Sequence, residues 1–321
     1  TLASGADQHE LETATLLNNC SESVGRDIIA PMSIRLRASD AAVSEVDERY
    51  LSFCIDLGQI AEPTRFWNPD GSGETTGRPS YDFGRVRLRN LARALAPALL
   101  RIGGTEADRA YYALDGAPPA QPPPPYCSVL TAAHVDAVGA FAKACGLQIM
   151  FAVNAGWGAR DNTNGPWEAA QARALMKYVR DRGHAFVVWE LGNEPNGWPF
   201  LQRNLAVTPE AYAADLLELT NLRDAESPGS LVAAPSTAWF PSTVGEVPAI
   251  ATTRPPQIIS WGGYLRRALA AAASLERARS AALGNQRRRV PDVVTWHFYP
   301  GQSDRVAPNM RLRATLATYR R

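Results

Sequence analysis

Six near-continuous apolar runs, each separated from the next by a helix-like stretch, constrain this chain more than any other feature. The runs are Tyr50–Asp56, Ala98–Gly103, Gln148–Asn154, Phe186–Gly192, Ser230–Pro235 and Asp292–His297. A strand that is apolar on both faces belongs to a parallel sheet covered by helices, because an antiparallel sheet with one wet face would alternate. Between the runs, Val86–Leu95, Thr131–Cys145, Trp167–Arg182 and Pro209–Arg223 carry apolar positions at helical spacing. Thr208 offers an N-cap, and Gly146 and Gly183 offer helix stops. Strand and helix alternating six times predict the α/β class, with a (β/α)8 barrel preferred over an open sheet. No GxGxxG follows the first strand, which weakens a dinucleotide-binding alternative.

The 321 residues suit one large domain, or one large and one small. Residues 1–45 read as an N-terminal segment holding one short strand, Asp27–Leu36, outside the repeat; residues 46–321 read as the barrel. Asn68–Ser80 and the proline-rich Pro118–Pro125 are predicted loops within it. A net charge of +1 gives no basic footprint for nucleic acid, though it is compatible with a local basic groove. No apolar run reaches the length of a membrane span, and the first residues show neither the basic nor the apolar region of a signal peptide. Cys20, Cys54, Cys127 and Cys145 have no CxxC spacing, so neither a metal site nor a redox motif is predicted.

The informative polar residues fall at the C-terminal ends of the predicted strands, the face on which barrel enzymes build their sites. The fourth strand runs into Trp189-Glu190-Leu191-Gly192-Asn193-Glu194-Pro195-Asn196. A carboxylic acid there can protonate a leaving oxygen, and the neighbouring amide of Asn193 can hold a sugar hydroxyl. Glu190 lies deeper in the same strand and reads as a supporting carboxylate. A lone glutamate at a strand end is more often a surface ion pair; the eight-residue context shifts the balance.

That octapeptide resembles the acid/base segment of the heparanase and β-glucuronidase family of retaining glycosidases. Four further stretches resemble the family in the right order. They are Tyr50–Asp56, Leu99-Leu100-Arg101-Ile102-Gly103-Gly104-Thr105, Phe151-Ala152-Val153-Asn154, and Val294-Thr295-Trp296-His297-Phe298-Tyr299. The resemblance implies a (β/α)8 TIM barrel, of which this chain supplies about six of eight units. It also implies a small β-sandwich built partly from the N-terminal strand. The implied chemistry is cleavage of β-glucuronide bonds with retention, without cofactor or metal. Glu194 would be the acid/base; Asn193, Asp56, Gly104, Thr105, Asn154, His297 and Tyr299 would line the substrate site. Arg101 is expected to form an ion pair beneath the pocket rather than to touch sugar.

Retention needs a second carboxylate about 5–5.5 Å from the first. The family carries it on the seventh strand, and this sequence offers none there: after His297 the only acid is Asp304, in a loop too close to the sixth strand. A second polypeptide supplying the nucleophile and the last strands, or a longer parent chain, would account for this. The implied substrate is a heparan sulfate-type glycosaminoglycan or a smaller glucuronide, cut in endo or exo fashion, in a secreted or periplasmic setting. A non-catalytic carbohydrate-binding fragment is the rival from another class. Arg85, Arg87, Arg160 and Arg203 are candidates for a basic rim, and Trp157, Trp198 and Trp239 for sugar stacking.

Overall fold

The computed structural model describes residues 45–61, 80–160, 165–202, 205–238 and 261–297. Tyr299, Asp304, Arg203, Trp239, the 27–36 strand and the 68–79 part of the first predicted loop lie outside them. The six apolar runs form six strands: β1 (Phe53–Asp56), β2 (Ala98–Gly103), β5 (Leu147–Val153), β6 (Phe186–Leu191), β7 (Leu231–Thr237) and β8 (Val293–Trp296). Two short strands that the sequence reading did not separate, β3 (Ala110–Ala113) and β4 (Ser128–Thr131), pair only with each other, in parallel.

The six make one sheet in the order β1-β2-β5-β6-β7-β8, every pairing parallel. Strand order follows chain order without reversal. A doubly wound sheet reverses at a switch point; a series that always adds its next strand on the same side is the winding of a barrel. The chain therefore builds a six-strand arc of a (β/α)8 barrel. Among the described residues β1 and β8 each have one paired edge only.

Helices α1 (Gly58–Ala61), α2 (Val86–Arg93), α3 (Ala132–Cys145), α4 (Ala170–Asp181), α5 (Trp198–Leu201), α6 (Pro209–Glu226) and α7 (Trp261–Leu283) fill the intervals. Their ends follow local chemistry. Thr131 accepts from the His134 N–H and the His134 ring accepts from the Thr131 N–H, closing a capping box on α3. Gly146 then stops that helix at φ 71°. Thr208 caps α6 ahead of Pro209, whose missing N–H costs nothing at a first helical position.

Alternate strand residues face two ways. Ala98, Leu100, Ile102, Leu147, Ile149, Phe151, Trp189 and Val232 point to the helices and join the main core. Phe186 and Trp189 stack there with centroids 5.5 Å apart. The opposite face begins with a small apolar layer, Met150, Val188 and Ala233, flanked by Leu99 and Val293. Above it the inward positions turn polar, with Arg101, Glu190 and Thr295 in one network. The change from apolar to polar along the inner face points the chemistry at the C-terminal strand ends.

Candidate active site

Glu194 leaves β6 in the left-handed region, at φ 57° and ψ 50°. Only one other non-glycine residue among those described has positive φ: Ser236, at 51°, on the neighbouring β7. Such conformations cost on the order of 1–3 kcal/mol and concentrate at functional sites. The Glu194 N–H donates to the Ser236 carbonyl at 3.0 Å, and Gly197 N–H donates to the Glu194 carbonyl at 2.8 Å. Pro195 opens the single 3-10 turn, Pro195–Gly197, that this bond closes. The turn lifts the Glu194 side chain out of the strand; it is 16% exposed.

Its carboxyl oxygen Oε1 lies 2.7 Å from His297 Nδ1, and the far nitrogen of that ring, Nε2, lies 2.9 Å from Ser236 Oγ. His297 reaches the site because its backbone N–H follows β8 by donating to the Thr237 carbonyl. Asn193 is buried, and its carbonyl oxygen accepts from Arg101 at 2.9 Å. Its amide hydrogens have no partner among the described residues, so they are the groups available to a sugar hydroxyl. Arg101 also pairs with Glu190, which is 1% exposed, at 2.6 Å, and donates to Ser236 Oγ at 3.2 Å. Arg101 and Glu190 thus form the ion pair expected below the pocket.

Asp56 ends β1 in the same electrostatic neighbourhood. Burial pushes its carboxyl upward; the Arg101 and His297 charges oppose this, and the Glu194 charge adds to it. Gly104, at φ 91°, packs its backbone on that carboxylate, and a Cβ there would collide with Asp56 Oδ1. Thr105 opens the 3-10 turn Thr105–Arg109, and its carbonyl accepts from Gln202.

Asn154 is buried and bonded within the fold. Its amide donates to the Ala110 and Trp157 carbonyls and its oxygen accepts from the Gly156 N–H, so the side chain ties the loop after β5 to β3. Two of the aromatic and basic rim candidates are also internal. Trp198 is fully buried, and Arg160, 6% exposed, forms a buried ion pair with Asp215 at 2.7 Å. Arg85 and Arg87 are exposed. Trp157 is half-buried under the Arg109 guanidinium.

Two residues that the sequence reading did not single out organise the site. Ser236 is one. The other is Asp108, fully buried, which accepts from the Ala155 N–H at 3.1 Å, the Asn193 N–H at 2.9 Å and the Trp198 indole at 3.0 Å. It ties the ends of β5 and β6 to the turn after β2. Burial pushes its carboxyl up to about 7 against the pull of those three donors. Among the described residues no group of three His, Cys, Asp or Glu is placed to hold a metal ion. Among the described residues the Asp56 and Glu194 charges act on each other, and Glu190 is ion-paired with Arg101.

The chain is 27% identical to "Heparanase-like protein 3" of Arabidopsis thaliana over 201 residues, covering 57% of this chain and 35% of that protein. It is 27% identical to "Heparanase" of Mus musculus over 196 residues, covering 48% and 36%. Against "Inactive heparanase-2" of Homo sapiens the identity is 35% over 94 residues, covering 29% and 15%. The chain therefore spans about a third, or less, of the length of these relatives. Residues 76–239, just over half of the chain, match the family model described as "Glycosyl hydrolase family 79, N-terminal domain", and they contain Arg101, Asp108, Asn193, Glu194 and Ser236. The family expected from the strand-end motifs is thus the one found: the chain belongs to glycosyl hydrolase family 79.

Proposed function

We propose that the chain carries the acid/base half of a retaining β-glucuronidase site, acting on heparan sulfate-type glycosaminoglycans in endo fashion. The observation that carries this reading is the Glu194 carboxyl, lifted from a strand end and held by His297 beside the Asn193 amide. In the first step Glu194 gives its proton to the leaving glycosidic oxygen; in the second, as a carboxylate, it takes a proton from the attacking water. Asn193 holds a sugar hydroxyl, with Asp56, Gly104 and Thr105 forming the wall towards β1 and β2. Tyr299 belongs to the same site on the grounds of the sequence motif.

The nucleophile comes from outside the described residues, from a second polypeptide or from a longer parent chain. The edges of β1 and β8 that are unpaired among the described residues favour this, since a barrel strand with an unpaired edge leaves backbone N–H and C=O groups without partners. A secreted or periplasmic setting follows from the substrate class. Exo-β-glucuronidase action on the same fold is distinguished by its product: free glucuronic acid rather than shortened polymer. A sugar-binding role without turnover is favoured by one observation: Asp56, a carboxylate in the electrostatic neighbourhood of Glu194, is driven by burial away from the ionised form that a nucleophile needs.

Glu194→Gln tests the reading. Expected is a loss of turnover of natural substrate by about 10²–10⁴-fold with binding nearly intact. Unchanged turnover removes Glu194 from the chemistry, and binding without turnover in the complete wild-type protein supports the sugar-binding alternative.

A further inference from the structure

We propose that Ser236 is a positioning residue for Glu194 and grips it at both ends; this rests on reading Glu194 as the acid/base. The first grip is on the backbone. The Ser236 carbonyl accepts the Glu194 N–H at 3.0 Å, joining the two left-handed non-glycine residues among those described. The second runs through a side chain. Ser236 Oγ lies 2.9 Å from His297 Nε2, and the other nitrogen of that ring is 2.7 Å from Glu194 Oε1.

The serine is itself fixed. It is fully buried, its N–H donates to Thr295 Oγ1 at 3.1 Å, and Arg101 donates to its hydroxyl at 3.2 Å. Thr295 in turn donates to Glu190, the partner of Arg101. The charged groups around the hydroxyl and the imidazole include Arg101, Glu190, Glu194 and Asp56.

A hydroxyl suits this place for a specific reason. Arg101 can only donate, so it occupies one lone pair of Oγ and leaves a hydrogen and a second lone pair for His297. When Glu194 is ionised, imidazole Nδ1–H donates to it and the serine hydrogen goes to Nε2. When Glu194 is protonated, it donates to Nδ1 and Nε2–H donates to the serine oxygen. A retaining mechanism passes through both states of its acid/base; the imidazole changes tautomer between them by gaining a proton at one ring nitrogen and losing one at the other in exchange with solvent, and a hydroxyl that can either donate or accept keeps Nε2 bonded in each. An alanine or glycine at 236 keeps neither bond.

The test compares Ser236→Gly and Ser236→Ala with wild type. Glycine accepts the positive φ and retains the carbonyl grip, so it removes the hydroxyl without straining the fold; it is expected to melt no lower than the alanine variant. Hydrogen exchange of the His297 imidazole N–H, followed by NMR and identified by its disappearance in His297→Ala, is expected to quicken about tenfold in both variants. Unchanged exchange and unchanged ring nitrogen shifts in both would overturn the proposal. In the complete enzyme, Ser236→Gly is expected to lower kcat about tenfold for a glucuronide whose leaving group needs a proton, at unchanged KM. The kcat/KM for release of dinitrophenol, set by a first step that needs no proton, is expected to be unaffected, and equal losses of kcat/KM on the two substrates would also overturn it. Failure of wild type to turn over either substrate counts against the hydrolase reading alone, because the exchange measurement decides Ser236 independently.

Discussion

Removing the Asp108 carboxylate is expected to loosen the acid/base loop from beneath. Three donors converge on it, but they are not equally dependent. The Trp198 indole also reaches the Asn193 carbonyl at 2.8 Å and keeps a partner, whereas the Ala155 and Asn193 N–H groups donate to Asp108 only. Asp108→Ala thus orphans two buried backbone donors, at about 1–3 kcal/mol each, for a total of about 2–6 kcal/mol. That is a large share of the ~5–15 kcal/mol by which a typical domain is stable. Asp108→Asn keeps one acceptor and turns an NH2 towards the others, costing about 1–3 kcal/mol, and serves if the alanine variant does not fold.

The effect has a pH signature. Folded Asp108 keeps its proton up to about 7, whereas the unfolded chain releases it near the ordinary value of 3.8. Between those values the folded state binds more protons, so this group's contribution falls as pH rises. From pH 5 to pH 8 the advantage of wild type over either variant narrows by about 3 kcal/mol. Urea unfolding followed by tryptophan fluorescence at both pH values measures it. An Asp108→Ala cost below about 1 kcal/mol at pH 5, or a cost that grows with pH, would refute the account.

Gly104→Ala is expected to weaken binding of a glucuronide-containing oligosaccharide by at least about tenfold while leaving Glu194 in place, since its Cβ drives Asp56 Oδ1 aside and its φ of 91° suits no other residue; calorimetric titration checks it. Asp215→Ala strands the buried Arg160 guanidinium and is expected to cost about 3–5 kcal/mol in chemical denaturation, whereas the double change Arg160→Met with Asp215→Leu recovers most of the loss.

The strands were legible because burial on both faces writes itself as an unbroken apolar run, and their succession was legible because barrel strands neighbour each other in chain order. Glu194 and Asn193 stood out through local context, and the Arg101–Glu190 pair through two charges inside apolar strands. The bonds of Asn154 were not legible, because a strand-end asparagine that faces a ligand and one that bonds its own fold have the same local sequence. For Trp198 the sequence left stacking and burial equally open, and the structure buries both Trp198 and Arg160, since loop residues can fold back beneath the loop. Ser236 had no local mark: its hydroxyl meets Arg101 across 135 positions and His297 across 61. Asp108 was one acid in a polar turn, and only the fold showed that it was fully buried.

The left-handed backbone at Glu194 bears on how such a chain can drift. Glutamate is held there against its own preference, at on the order of 1–3 kcal/mol. A glycine or asparagine at position 194 is at home in that region and releases the strain. Any descendant freed from selection for turnover therefore gains backbone stability by discarding the carboxylate proposed as the acid/base, while Asp108 and Arg101 keep their bonds to the neighbouring strand ends. At this one position backbone preference and the proposed chemistry pull in opposite directions, so the glutamate is kept only where selection asks for it.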